Sequence, residues 1–434
     1  MYKKTILNIL LVLILFTSGI SQSTMSIAVE ELEESSEVHH IIENVPYVAK
    51  EKNLSCNYSP VEMVFRYYGI NVSMYEIFYN VGGGYAQGYG CPLKRRFSFP
   101  PKDKPIKFKC MGDLTIMGAD DYKFLTNLYG CTYDIYDYEF VKNKEKCWKE
   151  YWEKVKYFVK QDMPVITCVD SLSWPIWREV SNTSTSPSIF LRCCCVIVIV
   201  GFNLTNNTVC VHDQYVESID PSKNGMYKWV DIDSFKIAAG RAIWDLKDSR
   251  YEIQLVQKNS EPLPEELINE LVHKRNIQKM KGSEEAYDTL FTRENFKEFG
   301  VSAVELLKED IDSELGKRMP FYFLLNKFTP IKGYPFNLMA QYYGLESKQK
   351  LITVNYMMQD ENISEKYYSD ILLLEKESSY WSELKNQTIE LKELLNISSV
   401  FKIQKDSEKI IEKMTETIGS IVQIQKMIIL NNSV

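Results

Sequence analysis

Residues 193–213 read "CCCVIVIVGFNLTNNTVCVHD". The first eight residues form an unbroken apolar run of the kind buried on both faces of a sheet. Asn203, Asn206 and Asn207 supply turn chemistry. The chain then returns as "TVCVHD", so the segment reads as a hairpin. A turn near residues 204–205 sets Cys195 roughly level with Asp213. Successive strand side chains point to opposite faces. If Asp213 looks into a site, His212 looks away from it and is read as structural rather than as a base.

Working outward, "MPVITCVD" (163–170) is a second short buried strand. It follows a helix over 145–161 that carries Trp148, Trp152, Val155 and Val159 on one face. Further upstream, "KNLSCNYSPVEMVFRYYG" (52–69) sets Cys56 ahead of a short helix. Ser59-Pro60-Val61-Glu62 reads as a capping box with proline at the first helical position, and Gly69 ends the helix. A helix N-terminus lowers a thiol's pKa. With Ser59 as cap, however, Cys56 stands about one turn too early, and an inert buried cysteine is the competing reading. Gly82-Gly83-Gly84-Tyr85 lacks the Lys-Ser/Thr of a phosphate loop, so a tight turn or a cleft wall is expected there. Trp174 and Trp177 in "SWPIW" either line a groove or pack inward.

The chain has 434 residues, 45% hydrophobic and 25% charged, which suits two globular domains. A net charge of −7 without a basic run argues against nucleic acid as a partner. The opening "MYKKTILNILLVLILFTSGISQS" places Lys3 and Lys4 before a short apolar core, Ile6 to Phe16. This is a secretory signal pattern, shorter than the roughly 20 apolar residues of a spanning helix. A secreted or cell-surface protein is expected, with an N-terminal membrane anchor as the alternative. Ten cysteines are too few for a disulfide scaffold in a chain of this size, and the consecutive Cys193, Cys194 and Cys195 cannot readily pair with one another. With no C-x-x-C and four histidines (His39, His40, His212, His273), neither a metal site nor a cofactor is expected. The expected divisions are a signal over 1–22, a linker over 23–44 that holds His39 and His40, a mixed α+β domain over 45–257, and an α-helical domain over 258–434. His273 falls on a charged helix in the last of these. The oligomeric state is left open.

Three segments in order carry a family resemblance: "VPYVAKEKNLSCNYSPVEMVFRYYGINVSMYEI", "YFVKQDMPVITCVDSLSWPIW" and "CCCVIVIVGFNLTNNTVCVHDQ". Together they resemble papain-like cysteine peptidases of the bacteriocin-processing type. They are most similar to the N-terminal domain of the butirosin-biosynthesis protein H family, and "ENFKEFGVSAVELLKEDI" and "SSYWSELKNQTIELKELL" resemble its usual helical C-terminal domain. The resemblance implies a papain-like fold with an antiparallel sheet, and thiolate attack on a carbonyl.

Carried over by position, the nucleophile is Cys56 and the orienting acid is Asp213. The usual histidine falls on Cys195, six residues before Gly201, and the usual oxyanion glutamine on Lys50, six before Cys56. Gly83, Gly84, Tyr85 and Trp174 are the candidate substrate contacts. The two departures matter most. A thiol is a poor substitute for imidazole as a proton carrier near neutral pH, and a lysine offers charge without a fixed amide's preorganisation. Two functions follow: a base-less module that binds a peptide or small acyl ligand, weighed first, and an active Cys56-dependent acyltransferase or amidohydrolase.

Overall fold

The hairpin at residues 194–212 lies at the centre of a seven-stranded antiparallel sheet. The computed structural model of the protein describes residues 38–51, 54, 57–90, 110–113, 119–139, 143–171, 173–181, 194–240, 250–283, 296–312, 334–397 and 400–433. Along the chain, β1 (His39–Ile41) precedes α1 (Tyr58–Tyr67), α2 (Met74–Asn80), and the antiparallel pair β2 (Gln87–Gly90) and β3 (Cys110–Asp113). Next come α3 (Ala119–Leu128), β4 (Cys131–Glu139), α4 (Lys144–Lys160), β5 (Val165–Asp170), α5 (Pro175–Ser181), β6 (Cys194–Asn203) and β7 (Thr208–His212). α6 (Val216–Ile219), β8 (Lys228–Asp231), α7 (Ile232–Ala239) and β9 (Arg250–Lys258) complete this part. Among the described residues beyond Lys258, every element is a helix except β10 (Phe296–Phe299). The helices are α8 (Glu265–Lys281), α9 (Gly300–Asp312), α10 (Tyr334–Gln359), α11 (Glu361–Lys366), α12 (Tyr368–Ile397) and α13 (Val400–Asn431). The architecture is α+β: a mixed N-terminal domain built on an antiparallel sheet, then a helical C-terminal region.

The large sheet runs β4-β9-β5-β6-β7-β8, with β1 also paired to β6. Residues 195–200 of β6 are all buried, which is why that strand shows no polar alternation. α4 packs on this sheet through Tyr151, Trp152, Val155, Phe158 and Val159. His39 and His40, expected in a linker, belong to β1, opposite Asn203 and Phe202. His40 also pairs with Asp162 at 2.9 Å.

Two local expectations are corrected. α1 begins at Tyr58 with Asn57 as N-cap, not at Pro60. Tyr58 is wholly buried and meets the Phe78 ring edge-on at 5.8 Å, so burying that ring draws it into the first turn. Ser59 therefore lies inside the helix with its Oγ unpartnered. Glu62, rather than closing a capping box, accepts from the Met74 backbone at 2.8 Å and pairs with Arg66 at 2.5 Å. The stop at Gly69 is as expected: φ is +77°, and Ile70 N donates to Phe65 O at 2.9 Å.

The second correction is register. Asn203 faces Thr208, but the ladder shifts by one between Ile199 and Gly201 and continues as Val198 opposite His212. Continued one step past β7, it sets Ile197, not Cys195, beside Asp213. Relative to that expectation the longer loop moves the register by three residues and the bulge takes one back, which leaves the difference of two. It leaves Cys195 on the same face as Ile197.

The described residues from His39 onward form one compact unit. The main core joins Val61, Phe65 and Val198 to Met280, Met357 and Ile428. A smaller core around Trp381, Ile418 and Leu307 lies within the helical region. β10 pairs with β2, adding a strand from the second half to one from the first.

Candidate functional site

β7 delivers Asp213 at its end. The Asp213 backbone N donates to Gly225 O at 3.0 Å, and Tyr47 Oη donates to Asp213 O at 3.2 Å. A Cβ at position 225 would fall 1.8 Å from that carbonyl oxygen, so only glycine fits there. The wholly buried carboxylate accepts three hydrogen bonds. Oδ2 accepts from Trp174 Nε1 at 2.7 Å and from Trp177 Nε1 at 3.0 Å, and Oδ1 accepts from Tyr215 N at 3.0 Å. Burial raises the Asp213 pKa, and these three donors, which favour the anion, offset part of the rise. Pro175 opens α5, and positions 174 and 177 are three apart, the spacing that puts side chains on one helix face.

Lys50 lies against the same segment. Its N donates to Gln214 O at 3.0 Å, and its carbonyl accepts from Ser218 Oγ at 3.4 Å. Its ammonium sits 5.5 Å from the centre of the Tyr215 ring, which in turn meets the Trp177 ring at 4.7 Å. Lys50, Tyr215 and Trp177 are all partly exposed. Asp213, Lys50 and the two tryptophans are thus one neighbourhood. Trp174, expected as a groove residue or a packed one, has no exposed surface and spends its indole N–H on Asp213.

The other candidates divide. Cys56 lies outside the described residues; in sequence it directly precedes Asn57, the N-cap of α1. Cys195 is wholly buried in β6, opposite Val169 of β5. His212 is also wholly buried, packed edge-to-face against Tyr227 at 4.5 Å and Tyr47 at 5.8 Å. Neither of its ring nitrogens has a well-aligned hydrogen-bond partner. Burial pushes its pKa down to about 4, further than the nearby Pro46 backbone can raise it.

Gly83, Gly84 and Tyr85 sit under the helical region. Thr353 Oγ1 donates to Gly83 O at 2.7 Å, Lys350 Nζ donates to Gly84 O, and Tyr85 Oη points at Met357 Sδ, 3.7 Å away. His273, on α8, is buried near Asp370 of α12 and Asn432. Among the described residues no group of three or more His, Cys, Asp or Glu could hold a metal ion, and no helix is long and apolar enough to cross a membrane.

Reading the sequence missed Tyr215 and Gly225. Tyr215 follows Asp213 by two, the spacing of an Asx turn, which is a usable signal. The closeness of Gly225 to Asp213 is tertiary and leaves no local trace.

Residues 42–245 match the model of the Peptidase_C39 like family. The matched span contains α1, the hairpin and Asp213, and it agrees with a papain-like, cysteine-peptidase-like fold for the N-terminal domain. No curated protein matches the chain.

Proposed function

We propose that the N-terminal domain is a papain-like module that has lost its general base and holds a peptide or small acyl ligand beside Asp213, on a protein exported by its N-terminal segment. One observation carries the reading. By the resemblance the usual imidazole falls on Cys195, and the imidazole adjacent in sequence to Asp213, His212, is packed among Tyr47 and Tyr227 with a depressed pKa. A buried thiol cannot shuttle protons as imidazole does. Loss of the base from a catalytic triad costs several orders of magnitude in rate. The resemblance to the butirosin protein H N-terminal domain, whose founding member implies acyl transfer from a carrier-bound thioester to an amine, supports an acyl or amide group as the thing recognised. Export favours an extracellular peptide over an intracellular carrier-bound thioester.

The second reading is a Cys56-dependent acyltransferase or amidohydrolase, favoured by the adjacency of Cys56 to the N-cap of α1. Iodoacetamide alkylation over about pH 5 to 9, against a Cys56→Ala control, separates the two. A Cys56 that stays inert, or that titrates as an ordinary thiol near about 8.5, supports the binder. A thiolate persisting well below that value establishes the enzyme instead.

A further inference from the structure

α8 carries a second buried imidazole, His273. Its Nε2 lies 2.8 Å from Asn432 Oδ1, and Asn432 Nδ2 donates to Asp370 Oδ2 at 2.7 Å. Asn432 spends its N–H on the carboxylate, so its oxygen faces the ring and Nε2 is the donor of the neutral imidazole. The Tyr367 ring stacks on the imidazole at 3.6 Å. The three polar side chains tie α8, the first turn of α12 and the residue after α13 together at one point. Little else holds the chain there. Ile428 is fully buried, but Leu430 and Asn431 are exposed. The bonds from Asn432 Nδ2 to Ile428 O and from Ser433 Oγ to Ile429 O stay within the last turn.

Among the described residues, the titratable groups that face this ring come from three directions. Asp370 of α12 lies 3.4 Å from Nε2, Lys366 ends α11, and Tyr367 lies between those two helices. Tyr79 of α2 faces Tyr367 and Asp370, and burial keeps it neutral. Burial lowers the His273 pKa by more than the Asn432 bond and the Asp370 carboxylate raise it, and Lys366 adds to the lowering. A proton enters the closed ring at Nδ1, which makes no hydrogen bond. The ring of an opened end is protonated in water instead, without that penalty.

We propose that His273, Asn432 and Asp370 form an acid-released clasp: the neutral ring holds the end of α13 on α8, and protonation of the ring lets it go. The sign follows from the two states. The closed ring resists the proton and the open ring accepts it near about pH 6.5, so the clasp is fully held above that value and is lost as pH falls below it.

Hydrogen exchange of the full chain, read by mass spectrometry over residues 424–433, tests this. With intrinsic rates divided out, protection is expected to fall about tenfold between about pH 7.5 and about pH 5.5. His273→Phe keeps a ring against Tyr367 and has no proton to take up, so its protection is expected to stay level across the same interval. Asn432→Asp is expected to reverse the sign. Its ring lies between two carboxylates, the closed clasp needs the proton, and protection is greater at the lower pH. His212 is present in all three proteins and cannot cause a difference between them. No loss in the wild type, an equal loss in His273→Phe, or a loss in Asn432→Asp each overturns the proposal. If circular dichroism shows that His273→Phe does not fold, the sign in Asn432→Asp decides alone.

Discussion

His212 was legible as a residue that faces away from Asp213, because strand alternation is local. Its surroundings were not, since Tyr47 and Tyr227 come from distant segments. Its burial makes it an acid-labile group. The ring's pKa falls from 6.5 to about 4 in the folded protein, so the unfolded chain binds the proton more readily. The contribution is fully present above about pH 6.5 and is lost as pH falls toward about 4, about 3 kcal/mol in all. His212→Phe fits an aromatic surround and removes the proton-binding site. Denaturant titrations at several pH values are expected to show wild type losing that amount relative to His212→Phe across the window. His273, whose pKa burial also lowers, stays in both proteins and cancels in the difference. Parallel curves for the two proteins would refute the assignment. Asp213 illustrates the same limit of reading. Its place at the end of the hairpin could be read from the sequence, but its two indole donors could not, because α5 is brought to it only by the fold.

At the scale of elements, the strands could be read because 165–170 and 194–203 are apolar runs bounded by turn residues. The helix start and the bulge could not. Both were decided by tertiary packing, of Tyr58 under Phe78 and of β6 between neighbours on either side. The triple glycine is the clearest case. It was legible as a turn, but what covers it was not.

α8 and α10 bring buried cations onto the carbonyls of Val81, just before the triple glycine, and of Gly84 within it. Lys279 Nζ donates to Val81 O at 2.6 Å and pairs with Asp121 at 2.6 Å. Lys350 meets Gly84 O and pairs with Glu377 at 3.0 Å, both side chains fully buried. Gly84 has φ +78°, and a Cβ there would fall 2.4 Å from Thr353 Oγ1.

Glu377 also accepts from Trp381 Nε1 at 3.1 Å and Gln425 Nε2 at 2.8 Å. Removing one partner of such a pair strands a buried charge. Lys350→Met is therefore expected to cost about 3–5 kcal/mol. The double variant Lys350→Met/Glu377→Gln, with no charge left, is expected to recover much of that loss. A double-mutant cycle by chemical denaturation measures it, and additive single effects would show that the pair is not coupled.

For the whole molecule, composition correctly suggested α+β followed by helix, because strand signals fade after residue 258. Composition could not show that the two halves share an interior. Met280, Met357 and Ile428 enter the same apolar cluster as Phe65 and Val198, and β10 pairs with β2. A core common to both halves couples their unfolding, because neither can open without exposing the apolar surface that the other buries. The tryptophans provide a way to see this. Six of the seven lie before residue 258, and Trp381 alone reports on the helical half, from inside its own buried cluster. The fluorescence that is lost in Trp381→Phe isolates that half. The fluorescence that remains reports the sheet domain. Under urea the two signals and far-UV circular dichroism are expected to fall along one curve with a single midpoint. Two separated midpoints, with Trp381 changing before or after the rest, would mean that the helical half is held by its own cluster and by the Lys350–Glu377 pair rather than by the core it shares with the sheet.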